Sequence, residues 1–142
     1  MLKLESKTGI ARGSQEVVFN YISDFRNFAH MLPADRLRNL EISGELLRFG
    51  IDGLGTVGLK IAEKKPFSQL VVTGTEDSSA DFTFWFNISA TSAVQSQVNL
   101  TLQANLNMFL EMMATGPLQQ FIDLMIDKLT AVDFESRIKE GK

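Results

Sequence analysis

The chain has 142 residues, 44% hydrophobic and 22% charged, and its 14 Lys and Arg stand against 17 Asp and Glu for a formal charge of −3. That length predicts one domain over residues 1–142, burying on the order of 70% of its unfolded surface around a single core without disulfides or metals. Basic residues are scattered, with Lys64-Lys65 the longest run, so the footprint of a nucleic-acid or membrane-surface binder is missing, and zero cysteines exclude a disulfide scaffold, cysteine-ligated zinc and thiol catalysis together.

The opening stretch MLKLESKTGIARG lacks the apolar centre of a signal peptide, and no window approaches about 18 consecutive apolar residues. The expectation is a soluble cytoplasmic protein with no membrane insertion. Leu2, Leu4, Ser6, Thr8 and Ile10 alternate with polar or small residues, which predicts one first strand that Gly13-Ser14 stops. Ser14 can N-cap a helix whose apolar stripe is Val17, Val18, Tyr21, Ile22 and Phe25. Asn27 can then cap a single turn through Phe28 and Met31, which Pro33 ends.

From residue 36 to about 106 the period is 2. Six antiparallel strands are predicted, Arg36–Ser43, Glu45–Ile51, Thr56–Lys64, Gln69–Glu76, Asp81–Ala90 and Val94–Leu106, joined by hairpin-length turns. In the last, Val98, Leu100, Leu102, Ala104 and Leu106 alternate with Gln97, Asn99, Thr101, Gln103 and Asn105, so the sheet has one dry face and one polar face. Leu47-Phe49-Ile51, Val57-Leu59-Ile61 and Phe82-Phe84-Phe86-Ile88 fall on dry faces by the same parity; for Leu70, Val71 and Val72 the parity is ambiguous. A helix must cover the dry face, and Leu118, Phe121, Ile122, Met125, Leu129 and Val132 have its spacing. Gly116-Pro117 either starts that helix or lies within one kinked element running from Asn107; one element is the preferred reading. The tail after Phe134, ESRIKEGK, reads as solvated and fraying.

The sum is an α+β fold: a curved antiparallel sheet of about seven strands wrapped around a long C-terminal helix, with two short helices after the first strand. The order of elements, the opening SQEVVFNYISDFRNFAHMLP, the GLGTVGLKIAEKKP stretch and the closing PLQQFIDLMIDKL resemble the SRPBCC superfamily. This is the START and birch-pollen-allergen-like helix-grip fold, and the likeness is to its small bacterial polyketide cyclase/dehydrase and lipid-transport-like branch. The resemblance covers nearly the whole chain and brings no fixed catalytic motif, so no catalytic residue is carried over. It implies a cavity between sheet and helix for an apolar small molecule such as a lipid, isoprenoid or polyketide. No cofactor or metal is expected.

Leu47, Phe49, Leu59, Phe84, Phe86, Met113, Phe121 and Met125 are the candidate ligand-binding residues on this reading. Met108, Met112, Met113 and Met125 all fall on the last segment, where flexible thioethers suit either an adaptable cavity or ordinary core filling. His30, Tyr21 and Glu63 are the groups that a cyclase or dehydratase would use. His30 has no local partner, since Asp24 and Asp35 lie beyond a helix turn and a proline, and Tyr21 sits on an apolar stripe, so packing roles are expected of both. Arg48 and Lys60 belong on the solvated face. Trp85 falls there too, at a sheet edge, under loops, or as the anchor of a homodimer contact. A third class is a protein-interaction domain with a filled interior. The glycines of GIDGLGTVG do not make a phosphate loop, because a strand and not a helix follows them.

Overall fold

Hydrophobic alternation over the middle of the chain yields one continuous sheet in the computed structural model, which describes residues 2–32, 37–51, 55–78, 81–106 and 108–134. Pro33, Asp35, the turn residues 52–54 and the tail after Phe134 lie outside them. The strands are β1 (Leu2–Glu5), β2 (Gly9–Ala11), β3 (Leu37–Ser43), β4 (Leu46–Ile51), β5 (Gly55–Lys65), β6 (Gln69–Gly74), β7 (Asp81–Ala90) and β8 (Ser96–Asn105). Their order is β1-β8-β7-β6-β5-β4-β3, with β2 also on β8, and all pairs are antiparallel.

The single first strand expected from residues 2–10 is divided. Ser6 takes over a ladder bond: its Oγ accepts from the Leu100 N–H at 2.8 Å while its own N–H donates to the Leu100 carbonyl at 2.8 Å. The chain then turns out before returning as β2. Helix α1 (Gln15–Ile22) starts where expected, the Ser14 Oγ accepting from the Val17 N–H at 3.2 Å. It ends before Phe25, because Asp24, not Asn27, caps α2 (Phe25–Phe28) by accepting from the Arg26 N–H at 2.9 Å. A 3-10 turn, Ala29–Met31, follows.

Helix α3 (Met108–Thr130) is one element with Pro117 inside it. Proline has no N–H to give the preceding turn, so one ladder bond is absent there. Ile122, Met125, Ile126 and Leu129 are fully buried against the sheet. Close approach requires Gly9, where a Cβ would stand 2.7 Å from the Thr130 Cγ2 and 2.9 Å from the Ile126 Cγ2.

Register settles the parity of the sheet. Leu70 faces Phe86 and Val72 faces Phe84 on the concave side, while Val71 faces Trp85 on the convex side. Leu100 pairs with Phe86, Leu102 with Phe84, Leu59 with Leu47 and Val57 with Phe49, all concave. The helices pack on that side, and the core is the volume between them and the sheet. Among the described residues no helix is long and apolar enough to cross a membrane.

Candidate functional site

Apart from β2 and the strand ends beside it, where Gly9, Ala11, Ala90 and Ser96 are small, the concave surface is made of long side chains except at two places. Gly74, opposite Leu59, has no side chain, and Ala104, opposite Phe82, has a short one. Both lie toward the end of the sheet where α3 begins. There the core contains a partly open cavity of about 60 Å³. Phe49 of β4, Val57 and Leu59 of β5, and Phe82 and Phe84 of β7 form its sheet wall. Leu102, Ala104 and Leu106 continue it, Leu118, Phe121 and Met125 of α3 close the helix side, and Phe28 and Leu32 form the inner end. Among the described residues every one that lines the cavity is apolar.

Five of the eight candidate residues, Phe49, Leu59, Phe84, Phe121 and Met125, meet around this cavity. Leu47 and Phe86 are buried but belong to the packed core beside it, and the Phe86 ring meets Phe28 edge-on at 5.5 Å. Met113 is 61% exposed. The reason is helical phase: Ala114, Leu118, Phe121 and Met125 define the inward stripe, while Met113 shares the outer one with Leu124 and Asp127. Met112 is exposed as well, so of these methionines only Met125 is a wall; the Met108 side chain lies outside the described part. Strand parity had already given Val57, Phe82, Leu102, Ala104 and Leu106 the correct face. Only the position of the gap along the strands singles them out. Phe28 and Leu32 carried no such signal, because a short helical pair can tilt in any direction.

The three candidates for moving protons, His30, Glu63 and Tyr21, do not converge on the cavity. His30 and Glu63 are exposed. Tyr21 is buried at 9% exposure, its ring edge-on to Phe134 at 5.3 Å and outside the cavity wall. The perturbed carboxyls have structural causes. A hydrogen bond from the Arg26 side chain lowers the Asp24 pKa and, in turn, Asp24 raises that of Arg26. The Asp77 pKa is lowered first by a hydrogen bond from Thr75 and further by Arg48 at 3.0 Å. Among the described residues no group of three or more His, Cys, Asp or Glu could hold a metal ion.

Arg48 and Lys60 lie on the exposed convex face, as parity predicts. Trp85 is half-buried there in mid-sheet, not at an edge. Its neighbour Val71 is only 7% exposed on a face that no helix covers. Directly opposed side chains lie within about 5 Å at Cβ, so the indole and Val71 are neighbours on the convex face.

No family model matches the sequence, and no curated protein matches it. Solved structures do resemble it. The protein XoxI from Bacillus cereus has a TM-score of 0.70 at 11% identity, covering 100% of this chain and 99% of its own. A START superfamily protein from Mycobacterium smegmatis has 0.63 at 13% identity, covering 89% and 96%. A truncated norcoclaurine synthase from Thalictrum flavum has 0.64 at 11% identity, covering 93% and 95%. The architecture is therefore the helix-grip fold of START-like, SRPBCC proteins, and at these identities the likeness establishes the fold alone.

Proposed function

We propose that residues 1–142 act as one helix-grip domain that binds or carries a hydrophobic small molecule, lipid-, isoprenoid- or polyketide-like, between the sheet and α3. The observation that carries this reading is a cavity in the core whose walls, among the described residues, are apolar. A void of this kind forfeits dispersion contacts on every lining atom, and an apolar ligand restores them. Phe49, Leu59, Phe84, Phe121 and Met125 are the contact residues of this account, joined by Phe82, Leu102 and Leu118; Leu47 and Phe86 support them from behind.

Size sets the manner of binding. About 60 Å³ is several times the 10–15 Å³ or so that one water needs, yet below the roughly 150 Å³ that takes a benzene. A ligand larger than a few carbons enters by moving a wall. The middle of α3, from Pro117 to Phe121, is the wall that yields, because Pro117 removes a backbone bond and Leu118 and Phe121 are only half-buried. Polar parts of the ligand stay at the open end, where no buried group is required to satisfy them.

A second reading is a cyclase- or dehydratase-like enzyme of the same fold. That reading needs a proton-moving group at the cavity, and His30, Glu63 and Tyr21 stand outside its wall. Native mass spectrometry of freshly purified protein, followed by analysis of a solvent extract, tests the proposal. A reproducible excess mass from an apolar compound is expected. Bare protein that stays bare after incubation with a mixed lipid and isoprenoid panel would overturn it in favour of a protein-interaction domain with a closed interior.

A further inference from the structure

The two edges of the sheet are treated differently. Along β1 and β2 the helix α3 supplies partners: the Gln119 Nε2 donates to the Glu5 carbonyl at 2.8 Å, and the Lys7 N–H donates to the Asp123 Oδ1 at 2.7 Å. The Lys7 ammonium also pairs with Asp127. At the opposite end of the strand order, no described element lies beside the outer edge of β3. Leu40 is 44% exposed there, and Ile42 and Leu46 are each 39% exposed. An open edge with apolar side chains is a template for another strand.

The register of β3 on β4 determines which strand fits. The hairpin turns through Gly44-Glu45, with Gly44 at φ 60°, so Ser43 and Leu46 form the bonded pair that closes a two-residue turn. Antiparallel alternation then gives the backbone groups of Glu41 to Arg48 and directs those of Ile42 outward. A bulge follows at Asn39-Leu40, with Asn39 at φ 53°. Beyond it Arg38 stands opposite Gly50 in the same phase, so the backbone groups of Leu37 also point outward.

Leu37 and Ile42, the residues with free-facing backbone, both lie on the concave side; Arg38 and Glu41 both lie on the convex side. This pattern is complementary to itself. Two antiparallel copies of β3 about a two-fold axis between residues 39 and 40 set Leu37 opposite Ile42 of the other copy as a bonded, apolar pair. The same register sets Arg38 opposite Glu41 as a closely spaced ion pair, and symmetry makes each pair twice. The two bulges meet at the axis.

We propose that the occupant of the β3 edge is a second copy of this chain, paired in that register, so that two eight-stranded sheets join into one. One short strand buries less than the roughly 800 Å² per partner of a standard interface, so the dimer is weak and forms with rising concentration over the order of 10 µM to 1 mM. The convex face around Trp85 stays outside the contact.

Sedimentation velocity over that concentration range is expected to show the mass rising from 15.8 kDa toward twice that value. The chain has no cysteine, so register can be read directly. Leu37→Cys protein mixed with Ile42→Cys protein under mild oxidation is expected to give a disulfide-linked heterodimer several-fold in excess of either variant alone, because a bonded pair places its Cα atoms about 5.5 Å apart. Glu41→Arg or Arg38→Glu alone is expected to weaken self-association several-fold, and the double exchange is expected to restore it, with circular dichroism confirming that each variant folds. A monomer throughout the range would overturn the proposal. So would a dimer whose Leu37→Cys and Ile42→Cys mixture cross-links no better than the separate variants.

Discussion

Phe84 and Phe86 stand two residues apart on the concave face of β7, and the cavity makes them unequal. Each has an aromatic neighbour edge-on at 5.5 Å, Phe82 for Phe84 and Phe28 for Phe86, so the loss of that pair, about 1 kcal/mol, is common to both alanine variants. Phe86 is packed on all sides at 1% exposure, whereas Phe84 turns one side to the void. With carbon contacts worth about 0.1–0.2 kcal/mol each, a ring missing roughly ten of them holds about 1–2 kcal/mol less. Truncating a packed phenylalanine costs about 3–5 kcal/mol. Phe86→Ala is therefore expected near the top of that range, about 5 kcal/mol, and Phe84→Ala about 1–2 kcal/mol lower, at about 3–4 kcal/mol. Urea unfolding with linear extrapolation measures both, with an unchanged slope as the check that only the folded state has altered. Equal losses, or a greater loss for Phe84→Ala, would refute the claim that Phe84 borders open space.

Three further substitutions test the supports of the site. Gly58→Ala places a Cβ 2.2 Å from the Thr75 Oγ1, so it is expected to lose about 1–3 kcal/mol by overpacking; combined with Thr75→Ala the total should fall below the sum of the two, and strict additivity would contradict the clash. Lys128→Met removes the 2.8 Å bond from its Nζ to the carbonyl of Leu32, at the inner end of the cavity. A loss of about 1–2 kcal/mol with faster amide exchange over residues 29–32 is expected, and unaltered exchange would show that α3 is not tied there. Asp24 has a lowered pKa in the fold, so its contribution is complete above the ordinary aspartate range and is lost as the pH falls through the lowered value. The stability gap between the protein and Asp24→Asn should narrow between about pH 6 and about pH 2; a gap that widens on acidification would reverse the sign.

How much of this was legible in the sequence depends on the physical signal each feature leaves. Face assignment was open to reading because a period of 2 allows two answers only, and β8, with Gln97 to Asn105 polar at every other step, permitted one. Val71 was ambiguous because a convex-side apolar residue under an aromatic neighbour looks like core until Trp85 is known to stand opposite it. The break in the first strand was hidden, since Ser6 keeps the alternation while its hydroxyl replaces a backbone partner. Asp24 and Asn27 are both good helix caps, and only the observed fold of the segment chooses Asp24. Met113 was placed inside by its chemistry and outside by its angle on α3, and the angle decides. The cavity left the faintest trace. It lies at the end of the sheet where Ala104 lines the wall and Gly74 stands opposite the lining residue Leu59, a placement that requires the register of several strands at once.

The most direct measurement of the central claim uses the methionine methyl groups, which report on the cavity and on the surface in one spectrum. In protein labelled with 13C at those methyls, benzene or n-hexane should shift the Met125 resonance, since Met125 is fully buried in the cavity wall, and leave Met112 and Met113 in place, since they are 82% and 61% exposed on the outside of α3. A Met125 signal that no apolar probe moves, or shifts confined to Met112 and Met113, would contradict an interior that receives a ligand.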